Sequence, residues 1–93
     1  MSYIRISLIK PLEGHRQRVE ELEQEVLKYF SDQPGFRQGF RLTSDDQIGR
    51  LTVWEDSSAA NQVATSEHSI ALRAQIMGQA ATNVEYSFEA TPT

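Results

Sequence analysis

Apolar residues recur with two different periods along the first third of the chain. Near the amino terminus every second residue is apolar, at Ile4, Ile6 and Leu8, which is the period of a strand. Proline has no backbone N–H for a sheet ladder, so this strand is expected to end at Lys10-Pro11. Between residues 13 and 30 the period becomes three or four, as on one face of a helix, with apolar residues at Val19, Leu22, Val26 and Phe30. The pattern predicts a strand and then a helix that ends before Pro34-Gly35.

The rest of the chain predicts a hairpin, a broken helix and a final strand. Residues 36–43 and 48–55 read as strands that are joined by a four-residue loop. Asp56 or Ser57 can cap the next helix, which we expect to break near Thr65-Ser66 and to end at Gly78. The second half of this helix should carry three apolar residues inward, namely Ile70, Leu72 and Ile76. A last strand is predicted over residues 83–89, followed by a loose tail at 90–93.

The predicted order β-α-β-β-α-β is typical of a ferredoxin-like α+β fold. Its four-stranded antiparallel sheet should have the strand order 4-1-3-2, with the helices on one face and the other face bare. In this register Phe40 lies opposite Leu51, Arg41 lies opposite Arg50, and Arg37 lies opposite Trp54. We expect the helices to cover the apolar side of the sheet, which carries Ile4, Ile6, Leu8, Phe40, Leu51, Val53, Val84, Tyr86 and Phe88.

The bare side is then expected to be polar and aromatic. It would collect Tyr3, Arg5, Arg37, Arg41, Arg50, Thr52, Trp54, Glu85 and Glu89. Arg41 opposite Arg50 is unfavourable unless a negative group lies between them. That group could be an anionic or enolate-type ligand, which suits the planar guanidinium, or it could be Glu85, Glu89 or an acid of a partner subunit.

Composition and charge exclude several classes of function for this chain. A chain of 93 residues predicts one domain, residues 1–93, with a modest core that oligomerisation would enlarge. The net charge of −4 argues against nucleic-acid binding, and the absence of cysteine excludes disulfides and thiol chemistry. The chain shows no signal peptide and no apolar run of about 20 residues, so we expect no membrane partner and a cytoplasmic location.

Four short segments, in this order and spacing, resemble the antibiotic biosynthesis monooxygenase (ABM) family. They are Pro34-Gly35-Phe36, Leu51-Thr52-Val53-Trp54-Glu55-Asp56, Ala59-Ala60 and Ser66-Glu67-His68. The resemblance implies a homodimer whose two sheets pack into an α/β barrel; the stress-responsive dimeric α/β-barrel proteins are related alternatives. Members of the ABM family include cofactor-free oxygenases of quinols or polycyclic aromatics, haem-degrading proteins and an isomerase of a phosphorylated signalling molecule.

The resemblance also implies site residues. His68 is the candidate catalytic base, since histidine exchanges a proton near neutral pH. Trp54 would line an aromatic pocket. The candidates for holding an anionic oxygen, Arg50 and Arg41 with Thr52 beside them, come from the sheet register and not from the resemblance. The alternatives are that His68 bonds the backbone at the helix break and that Trp54 only packs in the core.

Three positions depart from the family pattern. Thr52 stands where many members have a glutamate, Val63 where many have a second histidine, and Arg50 where the aromatic-substrate oxygenases have an asparagine. The tryptophan and axial histidine of the haem-degrading branch would fall near Val63 and Arg73, so haem degradation is not expected.

The leading hypothesis is therefore an ABM-like homodimer that binds a small aromatic or quinone-like molecule, with cofactor-independent monooxygenase activity. The alternative is a non-catalytic dimeric α/β-barrel module for ligand binding or assembly. No cofactor is expected, because the chain has no glycine-rich phosphate loop and no dinucleotide fingerprint. Two distant histidines without cysteines make no metal site.

Overall fold

Seven elements follow one another in the order β-α-β-β-α-α-β in a computed structural model that describes residues 1–93. The strands form one antiparallel sheet with the order β2-β3-β1-β4, which confirms the predicted ferredoxin-like α+β fold. None of the helices is both long enough and apolar enough to cross a membrane. The elements are β1 Ser2–Pro11, α1 Arg16–Ser31, β2 Phe36–Thr43, β3 Ile48–Trp54, α2 Ser57–Ala64, α3 Glu67–Met77 and β4 Ala80–Ala90.

Side-chain caps produce the predicted break between α2 and α3. Asp56 caps α2 by accepting a hydrogen bond from the Ala59 N–H at 2.8 Å. Ser66 caps α3 by accepting one from the Ser69 N–H at 3.2 Å. Each cap satisfies an N–H that has no partner within its helix, so each helix has its own start.

Strand β4 is longer than predicted, because it pairs with β1 along its whole length. Ser2 pairs with Ala90 at one end and Pro11 with Ala80 at the other. Ala90, which was predicted to belong to the tail, is therefore part of the strand, and only residues 91–93 follow it.

The hairpin register is confirmed, with one irregularity. Phe40 pairs with Leu51, and Arg41 pairs with Arg50, as predicted. The register shifts between Phe36 and Gln38, so Phe36 rather than Arg37 lies opposite Trp54. A bulge of this kind changes the face to which a residue points. Here it brings the Phe36 ring edge-on to the Trp54 ring, with centroids 5.3 Å apart.

The helices cover the opposite face of the sheet from the one predicted. The covered face carries Ile9, Ile48 and Trp54, together with the buried polar residues Ser7, Arg50 and Thr52. The helices contribute the rest of the core, namely Val19, Leu22, Val26, Phe30, Ala60, Val63, Leu72 and Ile76. The assignment of Arg50, Thr52 and Trp54 to the bare face was therefore wrong. The same holds for Arg41, Arg5 and Tyr3, which lie opposite them in the sheet and so share their face. Alternation shows which residues share a face, but both faces carry apolar residues, and alternation does not show which face the helices cover.

The uncovered face of the sheet is apolar instead of polar. Phe40, Tyr86 and Phe88 are 45%, 48% and 53% exposed there, and Val84 is also exposed. Ile4, Ile6, Leu51 and Val53 fill the centre of the same face and are only partly buried. On α3, Leu72 and Ile76 point inward as predicted, whereas Ile70 is 51% exposed, and that part of the prediction was wrong.

Candidate functional site

Trp54 is enclosed at the end of β3. Its indole Nε1–H donates to the Thr52 Oγ1 at 2.9 Å, two residues back along the same face of the strand. Its ring lies edge-on to Phe30 and Phe36, with centroid distances of 5.6 and 5.3 Å. Only 1% of Trp54 is exposed, and none of the surface cavities is lined by Trp54 or Thr52. These contacts are those of a core tryptophan whose polar N–H is satisfied.

Arg50 is held beneath α1 by a buried acid. Its Nη1 donates to Glu23 Oε1 at 2.6 Å, and its Cζ lies 5.6 Å from the centroid of the Phe30 ring. Glu23 is fully buried, and its other oxygen, Oε2, has no hydrogen-bond partner. The group that neutralises Arg50 is therefore an acid of this chain, on α1 and not on β4. Arg41 lies opposite on the edge strand β2, is exposed and forms no ion pair.

His68 lies in the first turn of α3, on the surface. Its ring is 4.4 Å from the Tyr29 ring, and the Tyr29 hydroxyl donates to Ser66 Oγ at 3.0 Å. The two rings border an open cavity of about 310 Å³ that is also lined by Glu25, Lys28 and Asp32. His68 itself makes no side-chain hydrogen bond, and the residue that caps the helix break is Ser66. The alternative in which His68 bonds the backbone there was therefore wrong. No cavity is lined by both His68 and Trp54, so the structure does not bring these two predicted site residues together.

A polar cluster that the sequence did not predict surrounds Arg5 on the helix side of the sheet. Arg5 Nη2 donates to Asn61 Oδ1 at 3.0 Å and to Tyr3 Oη at 3.4 Å, and Nε donates to Ser87 Oγ at 3.3 Å. Ser87 lies directly opposite Arg5 in the β1–β4 pairing. The β1–β4 register could have identified this pair, whereas Asn61 comes from α2 and no local pattern indicates it.

The Arg5 cluster changes the acidity of Tyr3. Ser87 and the Arg5 guanidinium, which hydrogen-bond to the phenol oxygen, hold the pKa of Tyr3 below its ordinary value of 10.0. Desolvation and the Glu89 carboxylate act in the opposite direction and are outweighed. Hydrogen bonds and a positive charge at the oxygen favour the ionised phenol, which explains this direction.

The structure has no group of three His, Asp or Glu side chains that could hold a metal ion.

Several solved structures share this fold over nearly the whole chain. SnoaB, a cofactor-independent oxygenase from Streptomyces nogalater, is 18% identical with a TM-score of 0.86, and the match covers 99% of this chain and 95% of SnoaB. Rv0793 from Mycobacterium tuberculosis is 14% identical with a TM-score of 0.90, covering 100% of this chain and 98% of Rv0793. A structure named antibiotic biosynthesis monooxygenase is 16% identical with a TM-score of 0.85, covering 99% of this chain and all 100% of its own. No protein-family model matches the sequence, and no curated protein shows significant similarity to it.

At these identities the comparisons establish the fold, and one fold can host many activities. The match extends over the sheet and all three helices, because it covers 99% or more of the chain in each case. The resemblance inferred from the sequence is thus confirmed at the level of the fold: this chain has the α+β fold of the antibiotic biosynthesis monooxygenase proteins.

Proposed function

We propose that this protein is a homodimeric α/β barrel that binds a small aromatic or quinone-like molecule. The observation that carries the proposal is the apolar sheet face, on which Phe40, Tyr86 and Phe88 are about half exposed. A large exposed apolar patch on a small domain marks an interaction surface. A chain of 93 residues has few other means of enlarging its core.

The occupant proposed for this face is a second copy of the same face. Three consecutive cross-strand rows of the sheet carry no charged side chain: Leu42–Gly49–Leu8–Val84, Phe40–Leu51–Ile6–Tyr86 and Gln38–Val53–Ile4–Phe88. Two such sheets can pack face to face about 10 Å apart around a two-fold axis, so that the same residues of both copies are buried. This arrangement would form the dimeric barrel that the ABM resemblance implies.

Sedimentation equilibrium or light scattering after size exclusion tests the dimer. We expect the wild type to be dimeric at micromolar concentration, and the Phe88→Lys variant to be monomeric because its ammonium would be buried in the apolar interface. The matched control is Ile70→Lys, since Ile70 is equally exposed but lies on α3, away from the sheet face. A monomeric wild type, or dissociation in both variants alike, would contradict the proposal.

Binding of the aromatic molecule is tested with 1,4-naphthoquinone as the probe, by isothermal titration calorimetry. The chain has no cysteine, so the quinone cannot add to a thiol and any heat comes from another mode of binding. Saturable binding with one site per chain is expected. No saturable heat at the highest soluble probe concentration would refute the ligand class.

Monooxygenase activity is the second candidate function, and the position of His68 favours it. His68 and Tyr29 border a cavity that is open to solvent. Its volume of about 310 Å³ is at the lower end of the size range of small-molecule sites. In this hypothesis the His68 imidazole accepts the phenolic proton of a hydroquinone, and a ring carbon of the resulting anion forms a bond to O₂. The hydroperoxide formed in this way loses water, so that one oxygen atom stays on the ring as a carbonyl and the other leaves as water, and the substrate itself supplies the electrons. The buried residues Trp54, Arg50 and Thr52 would take no part in that reaction.

Oxygen uptake with a panel of hydroquinones tests the catalytic hypothesis. The rate without protein must be subtracted, because hydroquinones oxidise spontaneously. We expect His68→Ala to lose the protein-dependent rate and His15→Ala, which removes the other histidine, to keep it. If the wild type gives no rate above the blank, the non-catalytic ligand-binding barrel is the correct function.

A further inference from the structure

We propose that Arg5 binds the ionised oxygen of the aromatic ligand, which is therefore a phenol or enol that is an anion at neutral pH. This inference rests on the proposed binding of an aromatic molecule and adds to it a site and a charge. It replaces Arg50 and Arg41, the arginines that the sequence indicated for this role.

The first argument is charge. The three ion pairs of the chain use Arg16, Arg18 and Arg50, and no carboxylate pairs with Arg5. Its hydrogen-bond partners are a phenol, an amide and an alcohol. Glu85 and Glu89 lie on the same face of β4, two residues to either side of Ser87, and neither forms an ion pair with Arg5. Arg5 thus has no ion-pair partner within the chain, whereas Arg50 is paired with Glu23 at 2.6 Å.

The second argument is the use of the donors. A guanidinium has five N–H groups in one plane, arranged to meet planar oxygen pairs. The contacts to Ser87, Asn61 and Tyr3 use Nε and Nη2, and no protein atom accepts a hydrogen bond from Nη1. These contacts fix the orientation of the guanidinium and leave both Nη1–H groups for a ligand oxygen.

The third argument is location. Arg5 lies on the helix side of the sheet, where it reaches Asn61 of α2, so the face proposed for dimerisation is on the opposite side. Arg5 and Tyr3 are half-buried, while Asn61 and Ser87 are exposed, so the cluster is open to solvent. A neighbouring cavity of about 220 Å³ on the other side of Tyr3 is lined by three acids, Glu55, Asp56 and Glu89, and would repel an anion. The anionic oxygen is therefore assigned to the Arg5 side of Tyr3.

The effect of this cluster on the acidity of an aromatic hydroxyl is visible at Tyr3. Its phenol oxygen lies 3.4 Å from Arg5 Nη2, and its ring centroid lies 5.5 Å from the guanidinium carbon. Ser87 and Arg5 lower its pKa, so the cluster stabilises an ionised phenol. A ligand phenolate or enolate at Nη1 would experience the same positive charge.

Two probes that differ in charge test the inference by calorimetric titration at neutral pH. 2-Hydroxy-1,4-naphthoquinone is an enolate anion at this pH, and 1,4-naphthoquinone is its neutral counterpart. We expect the wild type to bind the anion at least about tenfold more tightly, as one charge-assisted hydrogen-bonded contact predicts. Arg5→Met should abolish this preference while keeping the affinity for the neutral quinone.

Two further variants keep the test decisive. Arg5→Lys retains the charge but not the planar fork, and should give an intermediate preference; it also covers the case in which Arg5→Met does not fold. Arg18→Met is the matched control, because it removes one arginine from the exposed surface of α1 and should leave the preference unchanged. Circular dichroism of each variant verifies its fold.

The outcomes separate this inference from the proposed function. If the wild type binds both quinones equally, or if Arg18→Met lowers the preference as much as Arg5→Met, the role of Arg5 is refuted and aromatic binding stands. If the wild type binds neither quinone, the proposed aromatic ligand is itself refuted, and the inference with it.

Discussion

Arg50 and Glu23 form a buried ion pair in which Nη1 and Oε1 are 2.6 Å apart beneath α1. The pair joins β3 to α1 across 27 residues of sequence. The guanidinium carbon of Arg50 also lies 5.6 Å from the centroid of the Phe30 ring. The arginine that the sequence suggested as an anion binder therefore has a structural partner. The apparent Arg41–Arg50 conflict is also resolved, because Glu23 neutralises the buried member.

Breaking this pair should destabilise the protein strongly. Arg50→Met leaves the Glu23 carboxylate buried without a partner, which should cost about 3–5 kcal/mol. The double variant Arg50→Met/Glu23→Leu removes both charges and should lose far less than the sum of the single variants. Urea unfolding at one fixed protein concentration measures the free energy of unfolding of each variant.

The exposed pair Arg18–Glu21 is the matched control, and its removal should cost less than about 1 kcal/mol. Additive losses at Arg50 and Glu23 would show that the pair is not coupled.

Thr52→Val should destabilise the protein, because the buried Trp54 N–H would lose its hydrogen-bond acceptor. The valine keeps the shape of the threonine but leaves the indole Nε1–H unpaired, at a cost of about 1–3 kcal/mol in unfolding free energy. Trp54 is the only tryptophan, so its fluorescence monitors the unfolding directly. Thr43→Val, at an exposed position of β2, should change stability by less than about 0.5 kcal/mol. Equal effects at the two positions would argue against a role for the Thr52 hydroxyl.

Gly35→Ala should destabilise the connection into β2 through backbone and contact effects together. Gly35 has φ +83°, and a Cβ there would lie 2.5 Å from the Ala59 Cβ of α2. We expect a loss of about 2–4 kcal/mol, the sum of a left-handed backbone and an overpacked contact. Gly14 has φ +81° and open space around the added Cβ, so Gly14→Ala should show only the backbone part, about 1 kcal/mol. Thermal unfolding of the two variants compares them, and similar losses would exclude the α2 contact as a cause.

Tyr3 should ionise below the ordinary tyrosine range. Because Ser87 and Arg5 lower its pKa in the folded protein, the phenolate is favoured by folding. The contribution of Tyr3 to stability is therefore absent below its folded pKa and grows as the pH rises from there toward 10.0. The near-ultraviolet absorbance of phenolate measures the ionisation. The early-titrating fraction should be missing in Tyr3→Phe and should move to higher pH in Arg5→Met; a wild-type curve identical to that of Tyr3→Phe would contradict the shift.

The local sequence was sufficient for the elements and for much of the pairing. The two-residue and three-to-four-residue periods predict the strands and helices because side chains repeat with the geometry of each element. Asp56 and Ser66 mark helix starts through caps that act within three residues, and the four-residue loop sets the pairing of Arg41 with Arg50. These interactions are local, so the chain by itself specifies them.

The candidate site depended on contacts between distant segments. Alternation placed Arg50, Thr52 and Trp54 on one face but could not show that α1 covers that face, since both faces of the sheet carry apolar residues. His68 follows Trp54 by 14 residues, yet it lies at the surface beside Tyr29, because the helix break directs α3 toward α1.

Local patterns along the chain specify the order of the elements, the strand pairing and the resemblance to the ABM fold. The packing of the folded chain sets which arginine has an ion-pair partner and which has none. Arg50 meets Glu23 from α1, whereas Arg5 meets neutral groups from α2 and β4. No local pattern could show this difference, because the charge around a side chain depends on every element packed against it, and those elements are far apart in the sequence.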